Sequence, residues 1–349
     1  MALPPFSPDD LLSFLKDLLY TPSPTGFTHL AIERVRAELA ALPAVETRLT
    51  RKGSLLVTLP GERNDAPRAL SAHVDTLGAM VKEIKSSGRL ELTNLGGLSW
   101  NGVEAEDCTV FTQTGAQIPG SLVPVKAAAH VYGNEVTTTE RGAHTMEVRL
   151  DALTQSREET SELGIQVGDY VAFDPRVAQH NGFIRSRFLD DKSGVACLVA
   201  AVQALVSAGQ APRQTTHLLF SNYEEVGHGG SAGLPAGTAE LVVVDMAAIG
   251  EGQNSDEYHA TVCLKDSSGP YHHGLSNRLR QIAQAHEIDI RPDIYPHYAS
   301  DGSAAWRAGQ DLAVALIGPG VDSSHHYERT HTDALVDTTR WVMAYLLSD

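Results

Sequence analysis

The chain is poor in cysteine and in positive charge, and it has no long hydrophobic run. Among its 349 residues there are three cysteines, Cys108, Cys197 and Cys263. They lie far apart with no CxxC spacing, which argues against a disulfide framework or a thiolate metal site and points to a reducing compartment. Lys and Arg number 27 against 43 Asp and Glu, for a formal net charge of −16. Nucleic acid and anionic membranes are held mainly by clustered Lys and Arg, so neither is expected as a partner. No window approaches about 18 uninterrupted apolar residues, and Met1-Ala2-Leu3-Pro4-Pro5 has no basic segment leading into an apolar one. The expectation is a cytoplasmic protein without a membrane span or secretory leader. What is present is an ordinary globular composition, 42% hydrophobic and 20% charged, in a chain long enough for one large core or two moderate ones.

Ser7-Pro8-Asp9-Asp10 is a helix start, with a capping hydroxyl, proline in the first turn and acids that complement the helix dipole. Leu11, Leu12, Phe14, Leu15, Leu18 and Leu19 follow at helical spacing, and a second helix is expected from about Phe27 to Leu42, before Pro43. Strand-like segments Ser54 to Leu59 and Arg68 to Ala72 flank a polar loop at Gly61 to Asp65. From about 80 to 175 the chain breaks into short β-type runs punctuated by glycine, which predicts an all-β module inserted at 78–175. Helices and apolar strands then alternate again, from a helix at Ser193 to Ala208 to a terminal helix at Ala334 to Leu347. This pattern predicts a three-layer α/β domain, made of residues 1–77 and 176–349, interrupted by the β module.

Residues suited to metal chemistry stand where strands end. His73 and Asp75 follow Ala69-Leu70-Ser71-Ala72 and share a strand face, so His73 can ligate a cation while Asp75 supports the imidazole. Alone, such a pair is more often an unremarkable polar pair. Asp190-Asp191 precedes a helix; one acid would suffice as a cap, and a carboxylate can also bridge two cations. Glu224-Glu225 ends the segment Thr216 to Tyr223. Acids there are often merely solvated, but adjacent side chains diverge, so one can bind metal while the other serves as a general base. Asp245 terminates Leu241-Val242-Val243-Val244, where a charge is costly unless paired or metal-bound. The segment His325-His326-Tyr327-Glu328-Arg329-Thr330-His331 supplies further imidazoles, and spacing does not choose among His325, His326 and His331. A mixed carboxylate and imidazole set suits zinc, cobalt or manganese.

The ordered motifs His73 to Gly78 (HxDxxG), Asp190 to Gly194 (DDKxG) and Glu224 to Gly227 (EEVG), after a Ser23-Pro24-Thr25-Gly26 turn, resemble those of metallopeptidase family 42. That group of glutamyl and deblocking aminopeptidases includes the tetrahedral TET peptidases. The resemblance spans essentially the whole chain. It implies a zinc-aminopeptidase-like α/β catalytic domain carrying a β-rich dimerisation domain, and two divalent ions per subunit. Asp190 would bridge the ions, His73 and Asp245 would complete one site, and Glu225 and His331 the other. Glu224 would be the catalytic base and Asp75 the supporting acid. It further implies short peptides or dipeptide-like substrates and a homo-oligomer built from dimers, up to a dodecamer. Two segments depart from the family pattern. Glu328 to Asp333 stands where the family has Arg-Tyr-x-His-Ser-Pro, and His331 is aligned with the ligand because the same step to the final helix follows it. Ser300-Asp301-Gly302-Ser303 replaces a Gly-Thr-Asp stretch near the substrate pocket. The Glu-Arg-Thr-His variant is similar to a bacterial branch linked to synthesis of a dipeptide osmoprotectant.

Rival readings are an amidohydrolase or deacylase acting on a capped or modified dipeptide, and a non-catalytic scaffold on a peptidase fold. Glycoside hydrolysis is disfavoured, because it needs two carboxyl groups roughly 5 to 9.5 Å apart across a sugar bond, and adjacent Glu224 and Glu225 are poorly placed for that.

Overall fold

The computed structural model describes residues 2–40, 42 and 45–349. They fall into two compact units, one formed by residues 1–75 and 176–349 and the other by 76–175. In the first unit the chain opens with helix α1 (Pro8–Tyr20) and helix α2 (His29–Ala40). Ser7 caps α1 by accepting from Asp10 N at 3.2 Å. The six apolar residues read from the periodicity of α1 are all buried, each contributing about 1.5–3 kcal/mol of hydrophobic stabilisation. The expected stop of α2 at Pro43 lies outside the described residues.

Strands β1 (Glu46–Leu49), β2 (Leu55–Leu59) and β3 (Arg63–His73) follow. β3 begins earlier than its apolar part suggests, because Arg63 pairs with Gln214 and draws the polar Arg63 to Asp65 segment into the sheet edge. In the second unit, strands β4 (Gly78–Ile84), β5 (Leu90–Leu95), β6 (Asp107–Phe111), β7 (Gln117–Pro124), β8 (Met146–Leu150) and β9 (Tyr170–Phe173) close into a barrel in the order β4-β5-β8-β7-β6-β9. Its helices are short: α3 (Ala129–Tyr132), α4 (Glu135–Thr138) and α5 (Arg157–Glu162).

Back in the first unit come β10 (Ala178–His180), β11 (Phe183–Ser186), helix α6 (Leu189–Ser207), β12 (Gln214–Ser221), β13 (Glu240–Val244), β14 (Ala247–Ala248), β15 (Ala260–Asp266) and β16 (Gly269–Pro270). They are followed by helix α7 (His273–Ala285), β17 (Ile290–Ile294), helix α8 (Asp301–Arg307), β18 (Ala313–Val321), β19 (Glu328–His331) and helix α9 (Thr332–Leu347). Among the described residues ten strands form one sheet, ordered β1-β2-β12-β3-β13-β18-β15-β16 with β14 on β18 and β17 on β15. Its centre, β12-β3-β13-β18, is parallel, and β13 is buried at all four residues of its Leu-Val-Val-Val run, as expected of a strand covered on both faces. Helices α6, α7 and α9 pack together on one face, and α8 lies against the other, where Ala305 joins Leu241, Val243 and Leu316 in a core cluster. No helix among the described residues is long and apolar enough to cross a membrane.

Candidate metal centre

The parallel centre of the sheet delivers its carboxyl ends to one place, which is where open α/β sheets bind ligands. Ser221 of β12 is in register with His73 of β3, and Val243 of β13 with Ser71. His73 therefore closes β3 beside Glu224 and Glu225, which follow β12, and beside Asp245, which follows β13. Asp190 stands at the head of α6 with non-helical φ/ψ, so the regular helix starts beyond it. His325 comes from the loop between β18 and β19 at a φ of 65°.

Asp190 is the hub of the arrangement. Its Oδ1 lies 3.1 Å from His73 Nε2, and its Oδ2 lies 3.5 Å from His325 Nε2. The same His325 nitrogen is 3.5 Å from Glu225 Oε2. Two groups of ligand-type atoms result, His73–Asp190–Asp245 and Asp190–Glu225–His325, with the atoms of each group within 4.8 Å of one another. The Nδ1 of His73 donates to the Asp75 carbonyl at 2.8 Å, which fixes the ring and directs Nε2 at the centre.

Asp75 stands beside His73 and also braces the glutamate pair. Its carbonyl faces His73 Nδ1 and its Oδ1 lies 3.7 Å from the same nitrogen, while its buried carboxylate accepts from Glu224 N at 3.1 Å, Glu225 N at 3.3 Å and Thr25 Oγ1 at 2.7 Å. It therefore orients the main chain of the glutamate pair. Asp191, which follows Asp190 in the chain, accepts from His73 N and Gly194 N, both at 3.2 Å, and ties the end of β3 to the first turn of α6.

Of the three imidazoles in this segment, the structure brings His325 to Asp190 and Glu225 and sets His331 elsewhere. The pairing of β19 with β11 sets His331 opposite Phe183, where its ring packs against Phe183 and Tyr258 and its Nδ1 caps α9 by accepting from Asp333 N at 3.2 Å. His326 is exposed. The helix start that suggested His331 is real, and the imidazole preceding it serves as the cap.

Burial and mutual repulsion dominate the electrostatics. Burial pushes the carboxyls of Glu224, Glu225 and Asp191 well above their usual range, with neighbouring carboxylates adding to the shift. Asp245 is pushed up to about 7 by burial and by Asp190. Burial alone would also raise Asp190, but the His325 and His73 imidazoles overcome it and hold the group below the usual carboxylate range. Burial would lower His325, and Asp190 and Glu225 instead raise it to about 10. Asp245 Oδ1 is buried without a hydrogen-bond partner. Crowded hard oxygens, two imidazoles and an unpaired buried carboxylate oxygen make a donor set that fits divalent cations. The group opens on a cavity of about 530 Å³ that is also lined by Met246, Tyr295 and Tyr298.

Three further residues support the centre, and local spacing assigns none of them that role. Glu328 accepts from Asp190 N and His325 N; alternation in Glu328-Arg329-Thr330, with the first and third residues buried, was the available signal. Burial and Asp190 push its carboxyl up to about 8 against the pull of those two donors. Asp301 accepts from Ser221 Oγ at 2.6 Å beneath Gly229, where a Cβ would come within 2.3 Å of its Oδ1. Lys52 donates to His228 O, to Gly229 O at 3.1 Å and to Ser231 Oγ at 3.2 Å, pinning the loop that follows Glu225. Nothing in the local sequence marks Lys52.

This geometry can be set beside known proteins. The chain is 45% identical to the putative aminopeptidase YhfE of Bacillus subtilis (strain 168), over 97% of each chain. It is 26% identical to the lysyl aminopeptidase of Pyrococcus furiosus, over 61% of this chain and 59% of that one. Its fold is that of the Pyrococcus horikoshii TET1 peptidase, with a TM-score of 0.85 at 20% identity, covering 97% of this chain and 100% of that one. The sequence pattern of the M42 glutamyl aminopeptidases matches residues 53–340. A peptidase family that works with divalent metal ions accounts for a buried cluster of acids and imidazoles at the strand ends, and the chain belongs to that M42 family of metallo-aminopeptidases.

Proposed function

We propose that the chain removes amino-terminal residues from short peptides at a two-cation centre in which Asp190 bridges, His73 and Asp245 complete one site, Glu225 and His325 complete the other, and Glu224 is the general base. The observation that carries this reading is that the two Asp190 oxygens face two different imidazoles, with Glu224 lining the same cavity outside either ligand group. Zinc is the first choice for these ligands, with cobalt or manganese as alternatives. Bound there, two such ions supply Lewis acidity, acidifying water and polarising a scissile carbonyl. Glu224 takes the proton of the attacking water on a carboxylate oxygen and returns it to the leaving amine. The surrounding acids receive the free α-amino group of the substrate, which makes cleavage start at the amino end. Assembly into a homo-oligomer, with the barrel unit as its dimerisation element, is part of the same proposal. Its support is the relationship to the P. horikoshii TET1 peptidase, which forms a tetrahedron or a large octahedral shell.

The test is a panel of free, N-acetylated and C-amidated dipeptides and aminoacyl substrates, assayed before and after chelation and after return of zinc, cobalt or manganese. The expected pattern is cleavage wherever the amino terminus is free, loss on chelation and recovery with metal. Faster cleavage of acetylated substrates would establish a deacylase instead, and activity that survives thorough chelation removes the metal mechanism.

The two histidines separate in a second measurement. His325→Ala is expected to lower turnover about 100-fold through loss of a cation. His331→Ala keeps turnover near that of the wild type and lowers stability by about 1 kcal/mol, as the start of α9 loses its cap. A reversed order of turnover losses returns the ligand role to His331.

A further inference from the structure

We infer that Glu328 is a positioning residue that holds one half of the cation centre together, by clamping the main chain of Asp190 and of His325 with a single carboxylate. The inference rests on the two-cation reading above and adds a residue that reaches the ions only through other residues.

Glu328 Oε2 accepts from Asp190 N at 3.0 Å and Oε1 accepts from His325 N at 3.1 Å. The side chain is buried, with the residue 2% exposed, and its strand position opposite Ser186 sets it beside the segment that leads to Asp190. The His325 segment needs such a hold, because His325 sits at a φ of 65°, in a region where residues other than glycine persist only when surrounding contacts over-determine them, and the same carboxyl group ties it to Asp190, which stands outside the regular part of α6.

The chemistry of the clamp is specific. A carboxylate offers acceptors at both ends and no donor, so it can take two main-chain N–H groups that approach from different segments. Gln matches its length but must aim an NH₂ at one of the two donors. Asp keeps the carboxyl group but is one methylene shorter and reaches only one of them.

The two ligand groups depend on the clamp unequally. In the Asp190–Glu225–His325 group both clamped residues are ligands. In the His73–Asp190–Asp245 group only Asp190 is clamped, and there it keeps its contact with His73 Nε2. Loss of Glu328 therefore weakens one cation preferentially.

The experiment is calorimetric titration of the metal-stripped full chain with zinc, for the wild type, Glu328→Gln and Glu328→Asp, with circular dichroism as the check on folding. The wild type is expected to take up two cations. Glu328→Gln keeps one at close to wild-type affinity and binds the other about 10- to 100-fold more weakly, the usual cost of losing a residue that orients ligands. A residue with a general structural role would lower both affinities together or neither. Glu328→Asp preserves the buried carboxyl group and gives the same reading if the Gln variant does not fold. Two wild-type-like binding events in a folded variant, or equal weakening of both, overturn the inference. A wild-type chain that binds fewer than two cations removes the two-cation reading itself, an outcome distinct from a wild type with two cations whose variants match it.

Discussion

Glu224→Gln is expected to lower kcat by about 10²- to 10⁴-fold, the range for loss of a general acid–base group, with KM and cation content near their wild-type values. Glu224 belongs to neither ligand group, yet its Oε2 lies 3.8 Å from His73 Nε2 and it lines the cavity. Its main-chain N–H is fixed on Asp75 Oδ1, a contact that Gln retains. The substitution keeps the volume of the side chain and removes its ability to accept a proton. Glu225→Gln serves as the contrasting variant: it is expected to lose a cation as well as turnover, because Glu225 is a member of the group with Asp190 and His325. Kinetics combined with metal analysis on both variants decides the matter. A Glu224→Gln enzyme with ordinary turnover, or one that has lost metal, would refute the assignment of the base.

Asp190→Asn is expected to empty the centre of both cations and to reduce activity by a factor on the order of 10³ or more. Asp190 is the one residue shared by the two ligand groups, whereas Asp245 and Glu225 each belong to one. An amide has a single acceptor oxygen, and its NH₂ would be turned toward either His73 or His325. Metal analysis should show one cation lost in Asp245→Asn or Glu225→Gln and both lost in Asp190→Asn. If Asp190→Asn retained one cation firmly, the bridging role would fall while the separate sites could stand.

What was legible in the sequence is what a strand end encodes. His73, Glu224, Glu225 and Asp245 each follow an apolar strand, and the parallel register of β12, β3 and β13 brings them together. Asp190 was legible because an acid pair before a helix exceeds what a cap requires. His325 was not singled out, because its place depends on how a loop reverses at positive φ and on a strand pairing that carries His331 away. Both are long-range facts absent from local spacing, and the step from His331 into α9 supplied a local motif for an imidazole that the structure sets away from Asp190 and Glu225. Asp75 shows a subtler limit. Its proximity to His73 follows from adjacency on the chain, but the partners of its carboxylate come from residues 25, 224 and 225, which only the fold assembles. The order of the sheet and the closure of the barrel were likewise outside the reach of periodicity, which reports faces and lengths but not neighbours.

Gly194 and Gly318 both touch the segment that carries Asp245. A Cβ on Gly194 would come within 2.4 Å of Val244 O, and one on Gly318 within 1.7 Å of Asp245 O. Main chain therefore bears directly on main chain around this residue, and such seams cannot yield through a change of rotamer. A side chain at either glycine is therefore expected to push on the main chain that carries Asp245, so that a substitution remote from the ligands in sequence would reach the centre through the backbone.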